Sequence, residues 1–468
     1  MSSIMMQLLG SGAAGGANGW WLEVSHTSQS NTMFQGEVMP AASGNTVFVT
    51  GGLDGSTKIP VLEINEDGGI DTQNYITQDS TPSSYFGKTL DLDSSGNLWV
   101  GGVLGGSGSK CARHKTNKGA VSGTDNQFLQ SNVNRGGFNS IRSDGSNNYN
   151  MFTAYDTNSG NVKSYVRKYD SSESVIFDKA VHNGNTTYAR EMYYGFSAGL
   201  YLSITNAQNP SYGGYAHDIV GLNLAGAINL QRRYYHSSGT GASGAGEGRS
   251  VKELTNHLLF VGYDSANTGG KENYNSFAIK KTDNAGKISG ASVSGVYQKK
   301  YVLKSGSTYY QSEAKACDVD SSGNLYGISR GPNSTNAIWK FNSDGAVQWC
   351  QIIYNTAGGN RNASTASTQL NGICIGNDGQ LYVSGFSYPT SSNTYYGLVG
   401  KLNPDGMTAG TYGNIVIADM TTEELTTYPT ESSYNGYQAD DVASPGMQAA
   451  TYAYSNSTIT SSETLSNL

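Results

Sequence analysis

Apolar and polar residues alternate in short runs along most of the chain, and turn signals cut the runs at near-regular intervals. Residues 317–354 show the pattern most clearly. Cys317 and Val319 lead into Asp320-Ser321-Ser322-Gly323-Asn324, and Leu325 to Ser329 is closed by Gly331-Pro332-Asn333. Ala337 to Phe341 ends at Asn342-Ser343-Asp344-Gly345, and Val347 to Tyr354 follows. Period-two alternation marks half-buried strands. Gly and Asn supply the positive φ of tight hairpins, while Asp and Ser bond back to the turn backbone. The stretch predicts a four-stranded antiparallel meander, too small to bury its own face.

The meander repeats. Its third-strand turn recurs with a closing residue at 68, 119, 173, 226, 286, 345 and 406, a spacing of 51 to 61 residues. Good copies are Ile64-Asn65-Glu66-Asp67-Gly68 and Leu402-Asn403-Pro404-Asp405-Gly406; Tyr169-Asp170-Ser171-Ser172-Glu173 is degenerate. The second strand keeps the same beat, from Val47-Phe48-Val49 and Leu98-Trp99-Val100 through Asn150-Met151-Phe152 and Leu200-Tyr201-Leu202 to Leu381-Tyr382-Val383. Seven units of this length predict radially arrayed sheets, each covered by its neighbours.

With Asp93-Ser94-Ser95-Gly96-Asn97 as first turn and Lys401 to Gly406 as third, the repeats resemble the seven-bladed β-propeller repeat family. The resemblance spans about residues 20 to 410 and implies an all-β fold of seven four-stranded antiparallel blades with N- and C-terminal extensions. It is silent on activity, because propellers host many functions. Three regions follow: an apolar leader at 1–19, the propeller at 20–410, and an acidic Ser/Thr/Tyr-rich arm at 411–468.

The ends carry their own expectations. Trp20, Trp21, Leu22 and Val24 align with the fourth strand of the 317–354 unit, so this segment is expected to close the ring by completing the last blade. Closure by Asn414 to Asp419 is the rival. The leader residues Ile4, Met5, Met6, Leu8 and Leu9 form an apolar run too short to span a membrane. No basic residue precedes Lys58, so the run lacks the n-region of a secretory signal. Assembly contact with another subunit is the role expected of it.

Composition narrows the classes. A formal charge of −7, with no block of Lys or Arg, argues against a nucleic-acid surface. Cys111, Cys317, Cys350 and Cys374 show no zinc spacing and read as buried free thiols, with a cross-blade disulfide as the alternative. The two Asp-x-Asp-Ser-Ser-Gly segments resemble the start of a calcium loop, but the position for a bidentate Glu holds Gly102 or Ser329. The six His residues do not line up between repeats, and nucleophile-elbow, phosphate-loop and dinucleotide motifs are lacking. No enzyme, cofactor or metal is therefore expected.

Tyrosine is the distinctive chemistry. The pairs Tyr193-Tyr194, Tyr234-Tyr235, Tyr309-Tyr310 and Tyr395-Tyr396 fall near expected blade ends or loops, and are candidates for a recognition surface. The leader, low-charge repeats and Ser/Thr/Tyr arm resemble the structural proteins of marine bacteriophage virions. That resemblance implies a non-enzymatic tail or surface component, assembled in the host cytoplasm. Its partners would be other virion subunits, further copies of itself, and a host surface glycan or protein. A secreted bacterial surface or filament protein binding polysaccharide is the alternative.

Overall fold

The computed structural model describes residues 19–467 apart from 27–31, 35, 54–57, 78–83, 106–109, 117–126, 130–135, 157–160, 196–198, 207–215, 236–246, 265–273, 333–334, 356–366, 389–394, 413–414, 427, 434–437, 442–446 and 450–460. The leader residues Ile4, Met5, Met6, Leu8 and Leu9 lie outside the described residues. The chain forms seven small antiparallel sheets in a ring, a seven-bladed β-propeller.

The turns explain why the blades form. Asp93 Oδ1 accepts the backbone N–H groups of Ser95 and Asn97, both at 2.9 Å, and Asp320 repeats this with Ser322 and Asn324. Asn342 accepts from Asp344 and Ala346 at 3.1 and 2.9 Å. Gly96, Gly323 and Gly345 follow at φ of 76°, 81° and 76°, a region closed to most side chains. Above each Asp sits a ring that latches onto its second oxygen: Trp99 on Asp93, Tyr149 on Asp144, Tyr326 on Asp320 and Tyr382 on Asp378, at 2.8 to 3.3 Å.

Inner strands run along the axis at Val38–Pro40, Ser84–Leu92, Gly136–Ser143, Thr187–Gly195, Glu247–Leu254, Ala314–Val319 and Ser367–Ile375. These begin blades 1 to 7 in order. Each touches the inner strand of the next blade, and the last touches the first. Middle strands are covered on both faces, so Gly199–Asn206 and Ala216–Leu222 are buried throughout. One repeat is displaced from its expected register. Ser143 pairs with Asn148, as Leu92 pairs with Leu98, so Asn148-Tyr149-Asn150 takes the place of Leu98-Trp99-Val100 and the assignment to Asn150-Met151-Phe152 is two residues late. The shift arises because asparagines occupy positions where apolar residues mark the strand elsewhere.

The ring closes through Trp20–His26, which pairs antiparallel with Tyr396–Leu402 of blade 7, Trp20 opposite Lys401. Trp20, Trp21, Leu22 and Val24 are 1% to 5% exposed. Trp21 lies so close to Gly400 that a Cβ there would sit 2.7 Å from the indole.

Ile415–Asp419 does not close the ring. It pairs with Val347–Asn355, the outer strand of blade 6. From there the arm travels backwards around the propeller. Thr421–Leu425 pairs with blade 5, Thr430–Ser433 with blade 4, Gln438–Asp441 with blade 3 and Met447–Ala449 with blade 2. Ser461–Asn467 returns to blade 7, pairing with Trp20–His26. Blade 1, ending at Ile70–Thr77, lies between these last two, and among the described residues it has four strands. The arm is thus a girdle that adds a strand to the rim edge of six blades. Among the described residues, no helix is long and apolar enough to cross a membrane.

Candidate functional site

The inner strands of blades 2 to 7 each carry a one-residue bulge at the same level, and the extra residues are Lys88, Asn139, Arg190, Arg249, Lys315 and Asn371. Bulges re-aim the side chains that follow. In the next turn of strand they place a chain of alternating charges across the hub. Arg142 of blade 3 reaches Glu37, before the inner strand of blade 1, at 3.0 Å, and Glu191 of blade 4 at 3.1 Å. Lys252 of blade 5 lies 3.8 Å from Glu191 and 3.7 Å from Asp318 of blade 6. Asp318 in turn accepts the Ile375 N–H of blade 7 at 2.8 Å, and Glu37 accepts the Thr89 hydroxyl of blade 2 at 2.8 Å. All seven blades therefore meet in one network.

Electrostatics follow from this crowding. Burial alone would raise the Glu37 carboxyl, but the Arg142 guanidinium and three hydrogen bonds overcome it and hold it below the ordinary range. Burial likewise opposes the charge on Lys252, yet Asp318 and Glu191 raise it above a free lysine. Asp91 differs. Burial pushes its carboxyl up to about 7, against the pull of Arg142 and of the Ser143 N–H that it accepts. Four carboxylates surround two cations here, and burial drives Asp91 toward its neutral form.

A pH prediction follows. Folded Asp91 holds its proton up to about 7, whereas the unfolded chain releases it near ~3.9. Between those limits the folded state binds more protons, so this group makes stability fall as pH rises from about 4 to about 7, by at most ~4 kcal/mol. Urea unfolding across that range should show the decline, and Asp91→Asn should flatten it; an unchanged slope in the variant assigns the decline elsewhere.

A second buried constellation joins blades 4 and 5. Ser203 Oγ lies 3.2 Å from His217 Nε2, and Lys280 Nζ lies 3.3 Å from His217 Nδ1. The pairing resembles an activated nucleophile, but Ser203 and His217 are 0% and 1% exposed. Burial and neighbouring Lys280 push His217 well below its ordinary value, so it is neutral. Lys280 itself is held down to about 8 by burial, with Asp264 opposing. Sequence spacing gives no signal for either network, since the hub draws residues from seven repeats and the Ser203, His217 and Lys280 cluster draws them from two.

The tyrosine pairs do not converge. Tyr193 lies on the inner strand of blade 4, with Lys252 5.8 Å over its ring, and Tyr194 stacks on Tyr149 at 5.5 Å. Tyr234 is 1% exposed and donates to the Gly286 carbonyl at 2.8 Å; it packs between blades 4 and 5 and offers no surface. Tyr235 is half-buried beside it. Tyr309 donates to Glu423 of the girdle at 3.1 Å, with Tyr310 half-buried alongside. Tyr395 meets Phe386 edge-on at 5.5 Å, and Tyr396 begins the third strand of blade 7. Cys317, Cys350 and Cys374 are buried free thiols, and burial pushes Cys317 up to about 12. Among the described residues no group of three or more His, Cys, Asp or Glu is disposed to hold a metal ion.

No protein-family model and no curated protein matches the chain. Among solved structures it is similar to a protein of unknown function from Bacteroides caccae, at 11% identity and a TM-score of 0.34, over 71% of this chain and 93% of that one. A subtype N10 neuraminidase-like protein of A/little yellow-shouldered bat/Guatemala gives 7% identity and 0.39, over 66% and 91%. An acylaminoacyl peptidase from Pyrococcus horikoshii gives 10% identity and 0.39, over 76% of this chain and 49% of that one.

Proposed function

We propose that the chain is a non-enzymatic structural component of a bacteriophage virion, placed in a tail or surface appendage and serving host attachment or assembly. The observation that carries this reading is the girdle. A ring already closed by Trp20–His26 gains further strands on six of its blades from one continuous arm. That construction suits a rigid disc exposed outside a cell, where open sheet edges invite unwanted pairing. The hub fits the same role, because its charges are engaged with one another and tie the blades together. Loops on such a disc would meet other subunits and the host surface.

Mass spectrometry of purified particles should find the chain in several copies, and its absence from them would remove this reading. Deleting Met1 to Gly19 is expected to block incorporation while leaving the thermal transition of the propeller unchanged. Normal incorporation of that truncation would show that the leader has no assembly role.

A further inference from the structure

The seam between blades 2 and 3 departs from its counterparts. At equivalent positions near the start of the second strand, Val47, Leu98, Leu200, Leu258, Leu325 and Leu381 are apolar and 0% to 2% exposed; blade 3 has Asn148 there, 5% exposed. Two residues on, Val49, Val100, Leu202, Phe260 and Val383 are each 0% exposed, and blade 3 has Asn150 at 2%. Neither amide finds a hydrogen-bond partner on its nitrogen or its oxygen. Burying an unpaired amide is destabilising, and a sequence carrying two where apolar residues would pack points to a reason beyond stability.

Asn148 lines a cleft of 260 Å³ between the two blades. The walls are short polar side chains from the turns at 93–97, 143–148 and 170–173, with Trp99, Arg113 and Lys115 behind them. Glu173 is held at φ 65°, the one non-glycine residue with positive φ among the described residues, where Gly226, Gly286 and Gly345 close the equivalent turn. Its carboxylate pairs with Arg113 at 2.9 Å and Lys115 at 3.6 Å. Such strain persists at sites the surroundings over-determine.

The lining selects the ligand. Arg113 and Lys115 are matched by Glu173, while Asp93 and Asp170 are taken up by their own turn N–H groups. An anion would have to draw both cations away from Glu173, and among the described residues no group of carboxylates is disposed to hold a metal ion. Trp99 is covered by Arg113 at 4.5 Å and Lys115 at 5.1 Å, so it offers no open face for a flat aromatic. What remains is an amide that both donates and accepts, set among hydroxyls and side-chain amides. We propose that this seam binds a neutral polyhydroxylated ligand, a carbohydrate residue of a surface glycan, with Asn148 as the buried recognition group and Asn150 supporting it. The cleft lies just below the size range of drug-sized sites, which fits one sugar ring. This deepens the attachment reading above and rests on it for its biological setting.

The test is a titration of the full chain with the methyl glycosides of glucose, galactose, mannose and N-acetylglucosamine. It is read by saturation-transfer NMR and by the Trp99 indole resonance, assigned with Trp99→Phe. At least one glycoside should saturate and shift that resonance. The double variant Asn148→Leu/Asn150→Val restores the apolar pattern of the other blades; it should bind at least ten-fold more weakly and melt at a higher temperature. No saturation by any of the four, unchanged binding in the variant, or a variant that melts lower or fails to fold would each overturn the site. A negative titration leaves the presence of the chain in particles unaffected, and absence from particles leaves a positive titration standing, so the two readings fail separately.

Discussion

Ending the chain at residue 412 is expected to turn a monodisperse disc into a less stable, self-associating one. Three side chains of the girdle are as buried as the core: Ile415, Ile417 and Leu425 are each 1% exposed. Burying such a side chain contributes about 1.5–3 kcal/mol, so these three alone amount to roughly 5–9 kcal/mol. That is comparable with the whole stability of an ordinary domain, ~5–15 kcal/mol. The truncation also removes Glu423 and Glu424, which pair with Lys304 at 2.8 Å and Lys299 at 3.3 Å, but exposed pairs of this kind add little. Six rim strands would then present unpaired N–H and C=O groups, the template for edge-to-edge association. Differential scanning calorimetry and light scattering check both effects. A shorter cut after Asp441 should be milder, because it spares the strands on blades 3 to 6. A residue-412 truncation that stays monomeric with an unchanged transition would show that the girdle is decoration.

Arg142→Met is expected to destabilise the fold by about 3 kcal/mol, the scale for removing one partner of a buried ion pair. Its side chain is 14% exposed and serves two carboxylates, on Glu37 at 29% and Glu191 at 11% exposure. Lys252 still lies near Glu191, so Glu37 is the group left with no cation. The triple variant Arg142→Met/Glu37→Gln/Glu191→Gln should recover much of the loss, since uncharged replacements remove the desolvated charges together. Chemical denaturation of both variants separates the outcomes. If the single substitution is neutral, the hub charges do not hold the blades in place.

The parts of this fold legible in the sequence are those determined over a few residues. Asp320 to Asn324 and Leu402 to Gly406 announce their turns because Asp or Asn, Gly and the following apolar residue act on one another directly. The aromatic after each turn could have been read further: Asp144 precedes Tyr149 much as Asp320 precedes Tyr326, which would have set the blade 3 register despite its asparagines. The hub was not legible. Most of its charges lie beyond a bulge in the inner strands of blades 2 to 7, and the inserted residue shifts the alternation without recording which side chains then meet. The girdle strands were visible as short alternating runs, such as Ile415-Val416-Ile417, but four or five residues carry no record of which edge they meet. The place of a tyrosine is not legible for a related reason: Tyr is at home both in a seam and at a rim, and Tyr234 is in the seam.

Trp20–His26 lies between Tyr396–Leu402 and Ser461–Asn467 in the finished sheet. A ribosome therefore makes the middle of this sheet first and both its flanks several hundred residues later. Until residue 467 has emerged, an apolar segment with two tryptophans has no complete place to go. Maturation of the ring thus waits until residue 467 has been made, and the growing chain must keep Trp20–His26 sheltered while the residues up to Asn467 are synthesised.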